Sequence, residues 1–316
     1  MNEDRCGRGP QADNVQHVFA LPRLTSRPLL ALLTCAALCS LAAAPAFAEP
    51  VQDFNVQLKD IKADGGYTIV LTGNSYDTTG LRPPIVTDDT LRLAGGIRVR
   101  KEFLTKDYQC DVDAVRQAVA MPDGKRTYTQ KLRDLAGTLK HTRAKLGKVL
   151  AKKVETCVRS QIGYGTSVGD VRPTFAEPTP TNFAVFLAKP ATNKAEASFT
   201  SVVVLDEGGW LWKQAPLLRT FRLALPLNVF WKPGGNYGYQ LVLPGGGAGS
   251  IRASVAELTM TLTGLRKTTK SGKKLFWLTR PKCPASRNLS FRSDFTYEGG
   301  LKQTKSIQIP CPRFVQ

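Results

Sequence analysis

Apolar and polar residues alternate in short runs along most of the chain from residue 54 onward. Phe54, Val56 and Leu58 alternate in this way, and residues 67–71 form a run of aromatic and β-branched side chains. This two-residue period is typical of strands with one buried face. Further strands are predicted at 91–99, 183–187, 199–205, 210–212, 217–225, 237–243, 255–262, 275–278, 289–297 and 305–309. Glycine-rich turns separate the runs, so the pattern predicts a mainly β fold, a large antiparallel β-sandwich that is jelly-roll-like or Ig-like.

Residues 111–156 have the period of an α-helix instead. Asp111 is placed to cap a first short helix, and Thr127 with Gln130 has the signature of a capping box. Gly137 and Gly147 each disfavour a helix by about 1 kcal/mol relative to alanine, so a kinked or split basic helical insertion is expected. The predicted apolar stripe is Leu132, Leu135, Leu139, Leu146, Val149, Leu150 and Val154, and the basic face opposite is Arg133, Lys140, Lys145, Lys148 and Lys152.

Residues 1–48 have the organisation of a secretory signal peptide. Arginines precede an apolar run at 29–44, which is shorter than the roughly 20 residues that a bilayer requires. Small residues at Ala46 and Ala48 predict cleavage after Ala48. No later run is apolar enough to span a membrane, so we expect a secreted, extracellular or cell-envelope protein. Its domain is predicted at 49–316, with two smaller sandwiches split near residue 190 as the alternative.

The segment after the predicted cleavage site is strongly basic. It contains 40 Lys and Arg and 22 Asp and Glu residues, a formal charge of +18. A field of this sign attracts anionic partners, which outside a cell are wall polymers or polysaccharides and less often DNA. A basic surface that only maintains solubility is the alternative. The cations concentrate at 111–156 and at a predicted hairpin tip that carries Lys267, Lys270, Lys273 and Lys274.

Four cysteines remain after the predicted cleavage, at positions 110, 157, 283 and 311. An even number in an oxidising compartment indicates two disulfides. Three pairings are possible, and proximity in sequence favours Cys110–Cys157 and Cys283–Cys311, which would close loops of 48 and 29 residues. Such loops contribute about 4 and 3.5 kcal/mol in the chain-entropy model. No second Cys or His stands close enough to any of them for a zinc site, and no metal site is predicted.

Cysteines, aromatic residues and glycines recur in a fixed frame along the chain. The frame is Phe103-x6-Cys110, then Cys157-x4-Ile162-Gly163-Tyr164-Gly165, then Cys283-x7-Phe291-x3-Phe295-Thr296-Tyr297-x-Gly299-Gly300-x10-Cys311. It resembles a group of uncharacterised secreted proteins from high-GC Gram-positive bacteria. The resemblance implies the same cysteine pairing and a β fold, and it implies no activity. The first cysteine pair usually closes a shorter loop in that group, so the long helical segment is a departure.

No catalytic motif in the sequence has the context that its chemistry requires. Residues 165–169 match the G-x-S-x-G nucleophile elbow, which needs a following helix and a histidine base, but Pro173 follows. His141, the one histidine after the predicted cleavage site, lies among cations and is expected on the surface. Two carboxylates suffice for glycoside hydrolysis. The adjacent pairs, Asp88–Asp89 and Asp206–Glu207, fall in turn-like sequence, so no catalytic residue and no cofactor are predicted.

Trp210 and Trp212 are two residues apart on a predicted strand, so their rings are expected on the same face. An exposed pair of this kind stacks on sugars, whereas a buried pair fills a core. The leading hypothesis is a non-enzymatic protein that binds an anionic cell-wall polymer or polysaccharide. A carbohydrate-binding module that uses these tryptophans and a carboxylate-dependent hydrolase are the alternatives. Nucleic acid is not the expected partner. The expected polymer-contacting residues are Arg133, Lys140, Lys145, Lys148, Lys152, Lys267, Lys270, Lys273 and Lys274.

Overall fold

The computed structural model describes residues 50–62, 65–77, 85–172, 177–190, 192–244 and 252–313. The predicted signal segment lies outside the described residues. The described strands are β1 (Pro50–Lys59), β2 (Thr68–Asp77), β3 (Val86–Ala94), β4 (Gln161–Arg172), β5 (Thr179–Ala188), β6 (Ala197–Leu205), β7 (Arg222–Gly234), β8 (Tyr237–Pro244), β9 (Arg252–Leu262), β10 (Arg266–Thr268), β11 (Lys274–Phe276), β12 (Asn288–Tyr297) and β13 (Lys302–Pro310).

Eleven of these strands form one antiparallel sheet, so the mainly β class is confirmed. The strand order is β1-β2-β9-β4-β5-β6-β7-β8-β3-β12-β13, and β10 pairs with β11 in a separate hairpin. The edge strands β1 and β13 lie against each other. The sheet therefore nearly closes on itself and has an inner and an outer face.

The inner face of the sheet forms the main hydrophobic core. Alternate residues of the strands point inward, for example Ile69 and Leu71 on β2 and Leu91 and Leu93 on β3, all of them buried. The void among them measures about 10 Å³. A cavity needs roughly 10–15 Å³ to hold even one water, so the described interior is a packed core without room for an organic ligand.

Three helices cover the outer face of β5 and β6. They are α1 (Val112–Ala120), α2 (Tyr128–Arg133) and α3 (Leu135–Ser160). Their apolar residues pack on Ala184, Phe186, Val202 and Val204, which explains why all nine residues of β6 are buried. The predicted cap at Asp111 and the capping box at Thr127 are confirmed. The helical region extends four residues beyond the predicted end, to Ser160.

Gly147 interrupts α3 as the sequence predicted, with φ of +70° and ψ of 161°. The interruption changes which side chains face the sheet. Leu146 and Val154 are buried, whereas Val149 is 76% exposed. The assignment of Val149 to the apolar stripe was therefore wrong, because the stripe was counted through the glycine as though the helix were continuous.

Two strand predictions require correction, and one strand was missed. Residues 210–212 belong to a short helix, α4 (Trp210–Gln214), and residues 216–220 form a 3-10 helix before β7 begins. Strand β4 lies where no strand was predicted. The other 3-10 helices in the described part of the chain are Lys101–Phe103, Lys106–Tyr108 and Glu298–Gly300.

Both predicted disulfides are present, Cys110–Cys157 and Cys283–Cys311. The first ties the chain before α1 to the last turns of α3, and the second joins the residues that flank the β12–β13 hairpin. Paired disulfides of this kind are typical of an oxidising, extracellular environment. Among the residues that the structure describes, no helix combines the length and the apolar character needed to cross a membrane.

Candidate polyanion-binding surface

Because neighbouring strands are antiparallel, the connections between them fall at two opposite ends of the sheet. The end at which β1 stops and β2 starts also carries residues 95–109, which precede the helices in the connection from β3 to β4, and the connections 189–196 and 263–287. We call this the basic end. Residues 60–67, between β1 and β2, belong to the same end. Together, the described residues of these four segments include 15 Lys and Arg and four Asp and Glu. The described connections at the opposite end include two basic and four acidic residues, so charge is segregated between the ends.

Apolar residues close the core at the basic end and direct the cations outward. Ile97 and Val99 are buried, while Arg98 between them is exposed. Val99 forms a β-bridge with Leu278, next to the buried Trp277. Alternation at this bridge places the Arg98 side chain opposite to the buried Val99, on the outer side.

The predicted hairpin tip is an ordered part of the basic end. Lys267 lies opposite Leu275 in the β10–β11 ladder, and Thr269 N–H donates to the Lys273 carbonyl across the turn, at 2.8 Å. Gly272 has φ of +79°, a conformation that glycine adopts readily. All four predicted cations are exposed, and none forms an ion pair with the described residues: Lys267, Lys270, Lys273 and Lys274.

The second half of α3 reaches the same end of the sheet. Ser160 directly precedes β4, and Thr263, which follows β9, donates its N–H to the Ile162 carbonyl at 2.8 Å. The hairpin and α3 therefore join neighbouring, paired strands at the basic end. Lys148 and Lys152 are exposed on this half of α3.

The structure does not bring the remaining predicted cations to the basic end. Arg133 donates to Asn182 Oδ1 at 2.9 Å, on the outer face of β5. Lys140 and Lys145 precede the break at Gly147, and Lys145 Nζ donates to the Pro122 carbonyl at 3.3 Å. These three residues are exposed, but they belong to a separate part of the surface.

Most cations of the basic end were not among the predicted site residues. They lie in four connections that are far apart in the sequence, and only the strand order shows that every second connection meets at one end. The sequence signal that would have found them is the excess of basic residues in alternate connections. The additional exposed cations are Lys62, Arg98, Lys101, Lys106, Lys189, Lys194, Arg266, Arg280, Lys282 and Arg287.

The tryptophan pair differs from its prediction. Trp210 and Trp212 are half-buried on α4, where residues two apart lie about 200° apart around the helix axis, so their rings do not share a strand face. Trp210 Nε1 donates to the Pro178 carbonyl at 2.8 Å. Trp212 packs edge to face on Tyr128, with ring centroids 5.4 Å apart.

The G-x-S-x-G match lies inside β4, and the next described element is the strand β5. Ser167 Oγ lies 2.7 Å from Thr181 Oγ1 on the neighbouring strand, so it is part of the sheet. His141 is exposed, as the sequence predicted.

The two carboxylate pairs lie in different settings. Asp206 caps a turn through the Gly208 N–H, at 2.8 Å, and Glu207 accepts from Thr129 N–H and Oγ1. Asp88 and Asp89 lie within β3, so their turn-like assignment was wrong. Neighbours on a strand point to opposite faces.

Asp89 faces inward with Leu91 and accepts from Ser293 Oγ at 2.6 Å. Burial raises the pKa of this carboxyl to about 7, the charges of Asp88 and Asp294 raise it further, and the Ser293 hydrogen bond opposes the change. Burial likewise raises the pKa of the nearby Tyr297 to about 12. No group of three potential metal ligands occurs among the described residues.

No protein-family model matches this chain, and no curated protein or solved structure matches it.

Proposed function

We propose that this is a non-enzymatic secreted or envelope-associated protein that binds anionic extracellular or cell-wall polymers through the basic end. The supporting observation is the segregation of charge, with 15 cations and four acids in the described connections at one end of the sheet. Like charges repel, so this excess of cations over acids among the described residues of one end disfavours the free state. A polymer with closely spaced negative charges relieves this repulsion.

The rigidity of the framework supports binding of a polymer in preference to a small anion. A single exposed ion pair contributes only about 0.2–1 kcal/mol, so useful affinity requires several pairs formed together. The hairpin is held by its ladder and its turn, and the 95–109 connection is anchored by the Val99–Leu278 bridge. The backbone that carries the cations is thus ordered in advance, and a linear polyanion can engage many of them at once.

Export is part of the same proposal. The segment at 1–48, with cleavage after Ala48, would deliver the chain to a compartment where its two disulfides form. At the level of fold, we further propose that opposite walls of the nearly closed sheet pack face to face, as in a sandwich. The void of only about 10 Å³ between the described inner residues supports this close packing.

The test is binding of the purified 49–316 segment to isolated bacterial cell walls and to polygalacturonate, over a series of salt concentrations. Affinity should fall steeply between low and moderate salt, because exposed charges are screened. The substitution of Lys267, Lys270 and Lys273 by Gln should weaken binding roughly 3- to 100-fold, from about 0.2–1 kcal/mol per exposed pair.

The matched control replaces Lys213, Lys302 and Lys305 by Gln. These lysines are exposed, and they lie at or near the opposite end of the sheet. Net charge changes equally in the two variants, so the control should bind like the unmodified protein. Equal weakening of both variants would show that overall charge acts and not the basic end, and salt-insensitive binding would also overturn the proposal.

The same samples separate the alternatives. Polysaccharide binding that persists at high salt and is lost in Trp212→Ala would support a carbohydrate-binding module instead. Release of reducing ends from a panel of glycans would support a hydrolase. A preference for double-stranded DNA over polygalacturonate at equal salt would replace the polymer class proposed here.

A further inference from the structure

One cation of the basic end differs from the others because an aromatic ring holds it. The guanidinium carbon of Arg98 lies 3.3 Å from the centroid of the Trp231 ring. Arg98 is exposed, and its side chain forms no hydrogen bond or ion pair with the described residues. Its N–H donors are therefore directed to solvent from a fixed plane.

The position of Trp231 is determined by its neighbours in the sheet. Its ring packs edge to face on the buried Tyr239, with centroids 5.0 Å apart. A Cβ atom on Gly238 would lie 2.5 Å from Trp231 Cζ3, so the ring occupies space that only glycine leaves open. The Tyr239 hydroxyl donates to Glu196 Oε1 at 3.1 Å and accepts from the Val99 N–H.

The backbone of Arg98 is fixed as well. Its N–H donates to Thr279 Oγ1 at 3.1 Å, and its carbonyl accepts from the Thr279 N–H at 2.7 Å. Glu196, the acid next to Tyr239, forms no ion pair with Arg98. Backbone and side chain are thus both positioned, while the hydrogen-bonding capacity of the guanidinium remains unused within the described residues.

We propose that Arg98, stacked on Trp231, is a preformed site for one oxyanion group of the bound polymer, a carboxylate, sulfate or phosphate. A guanidinium offers two parallel N–H donors that match two oxygens of such a group. Stacking fixes the plane of these donors, so less conformational entropy is lost on binding. The hairpin lysines act as point charges, whereas Arg98 recognises the shape of the group. The inference rests on the proposed function and names its recognition site.

The test compares Arg98→Lys with Arg266→Lys, its matched control. Both substitutions keep the charge, and both arginines are exposed at the basic end, but among the described residues no aromatic ring stacks on Arg266. The probes are polygalacturonate, dextran sulfate and inorganic polyphosphate, with dissociation constants measured at two salt concentrations. Arg98→Lys should weaken binding to at least one probe by roughly 10- to 100-fold, with the salt dependence unchanged. Arg266→Lys should have little effect.

A second variant, Trp231→Phe, keeps the charge and an aromatic ring but weakens the stacking, because tryptophan is the strongest partner for a cation. It should weaken binding by a smaller factor than Arg98→Lys. Equal affinities for Arg98→Lys and the unmodified protein would overturn the inference, and so would equal losses in Arg98→Lys and Arg266→Lys. In either case the hairpin triple variant still reports on the proposed function, which fails separately if the unmodified protein binds no probe.

Discussion

The carboxyl of Asp89 offers the sharpest test of the described interior. The substitution Asp89→Asn keeps the shape of the side chain and an oxygen that can accept from Ser293 Oγ, but it removes the negative charge. We expect this variant to be more stable than the unmodified protein at alkaline pH and about equally stable at pH 4.

The sign of the effect follows from proton linkage. The pKa of Asp89 is about 7 in the folded protein, against 3.8 for the ordinary carboxyl. Between these values the folded state holds a proton that the unfolded state has released, so stability decreases as pH rises from about 4 to about 7. Above pH 7 both states are ionised, and the full cost of the buried charge is present.

The magnitude follows from the difference in pKa. Three units correspond to about 4 kcal/mol, which is an upper bound. The Asp89 carboxyl is half-buried, and solvent screening reduces the cost to about 2 kcal/mol. The charges that act on it are those of Asp88 on the same strand and Asp294 on β12, and both are negative and disfavour its ionisation.

Urea unfolding at pH 3.5, 6 and 8.5, followed by tryptophan fluorescence, measures the effect directly. The difference in unfolding free energy between Asp89→Asn and the unmodified protein should grow from near zero to about 2 kcal/mol across this range. Asp53→Asn is the control, because Asp53 is exposed on β1. A pH-independent difference, or a variant less stable than the unmodified protein at pH 8.5, would refute the reasoning.

Three further predictions concern the framework. The Cys283–Cys311 disulfide should be reduced by dithiothreitol before the buried Cys110–Cys157 disulfide, because the thiolate of dithiothreitol reaches the exposed Cys283 more easily. Mass spectrometry after stepwise alkylation gives the order of reduction, and the reverse order would contradict the structure. Gly238→Ala should displace Trp231, change the tryptophan emission and lower the unfolding free energy by about 2 kcal/mol. Gly234→Ala is the control and should leave the emission unchanged, because a Cβ atom at that position meets open space. Lys131→Met should lower the unfolding free energy by about 3 kcal/mol, because the buried Lys131 ammonium donates to two backbone carbonyls that would lose their partner. An unchanged urea midpoint would contradict this prediction.

The sequence by itself determined features that depend on local pattern. Two-residue alternation predicted the mainly β class, and helical spacing with caps at Asp111 and Thr127 predicted the helices, because these signals lie within one element. The break at Gly147 was predicted for the same reason. The disulfide pairing also followed from short separations along the chain.

Tertiary structure decided what depends on the neighbours of a residue. Strand β4 was missed because its glycines weaken the strand signal, yet β9 approaches so closely that a Cβ on Gly163 or Gly165 would lie 2.4 or 2.2 Å from a β9 carbonyl oxygen. The raised pKa of Asp89 comes mainly from burial, which arises only in the folded sheet. Strand order alone gathers the cations of four separate connections at one end of the sheet, and it places Arg98 over Trp231, which is 133 residues away in the sequence. A pattern read along the chain does not contain these relations, because each joins residues that only the pairing of strands brings together.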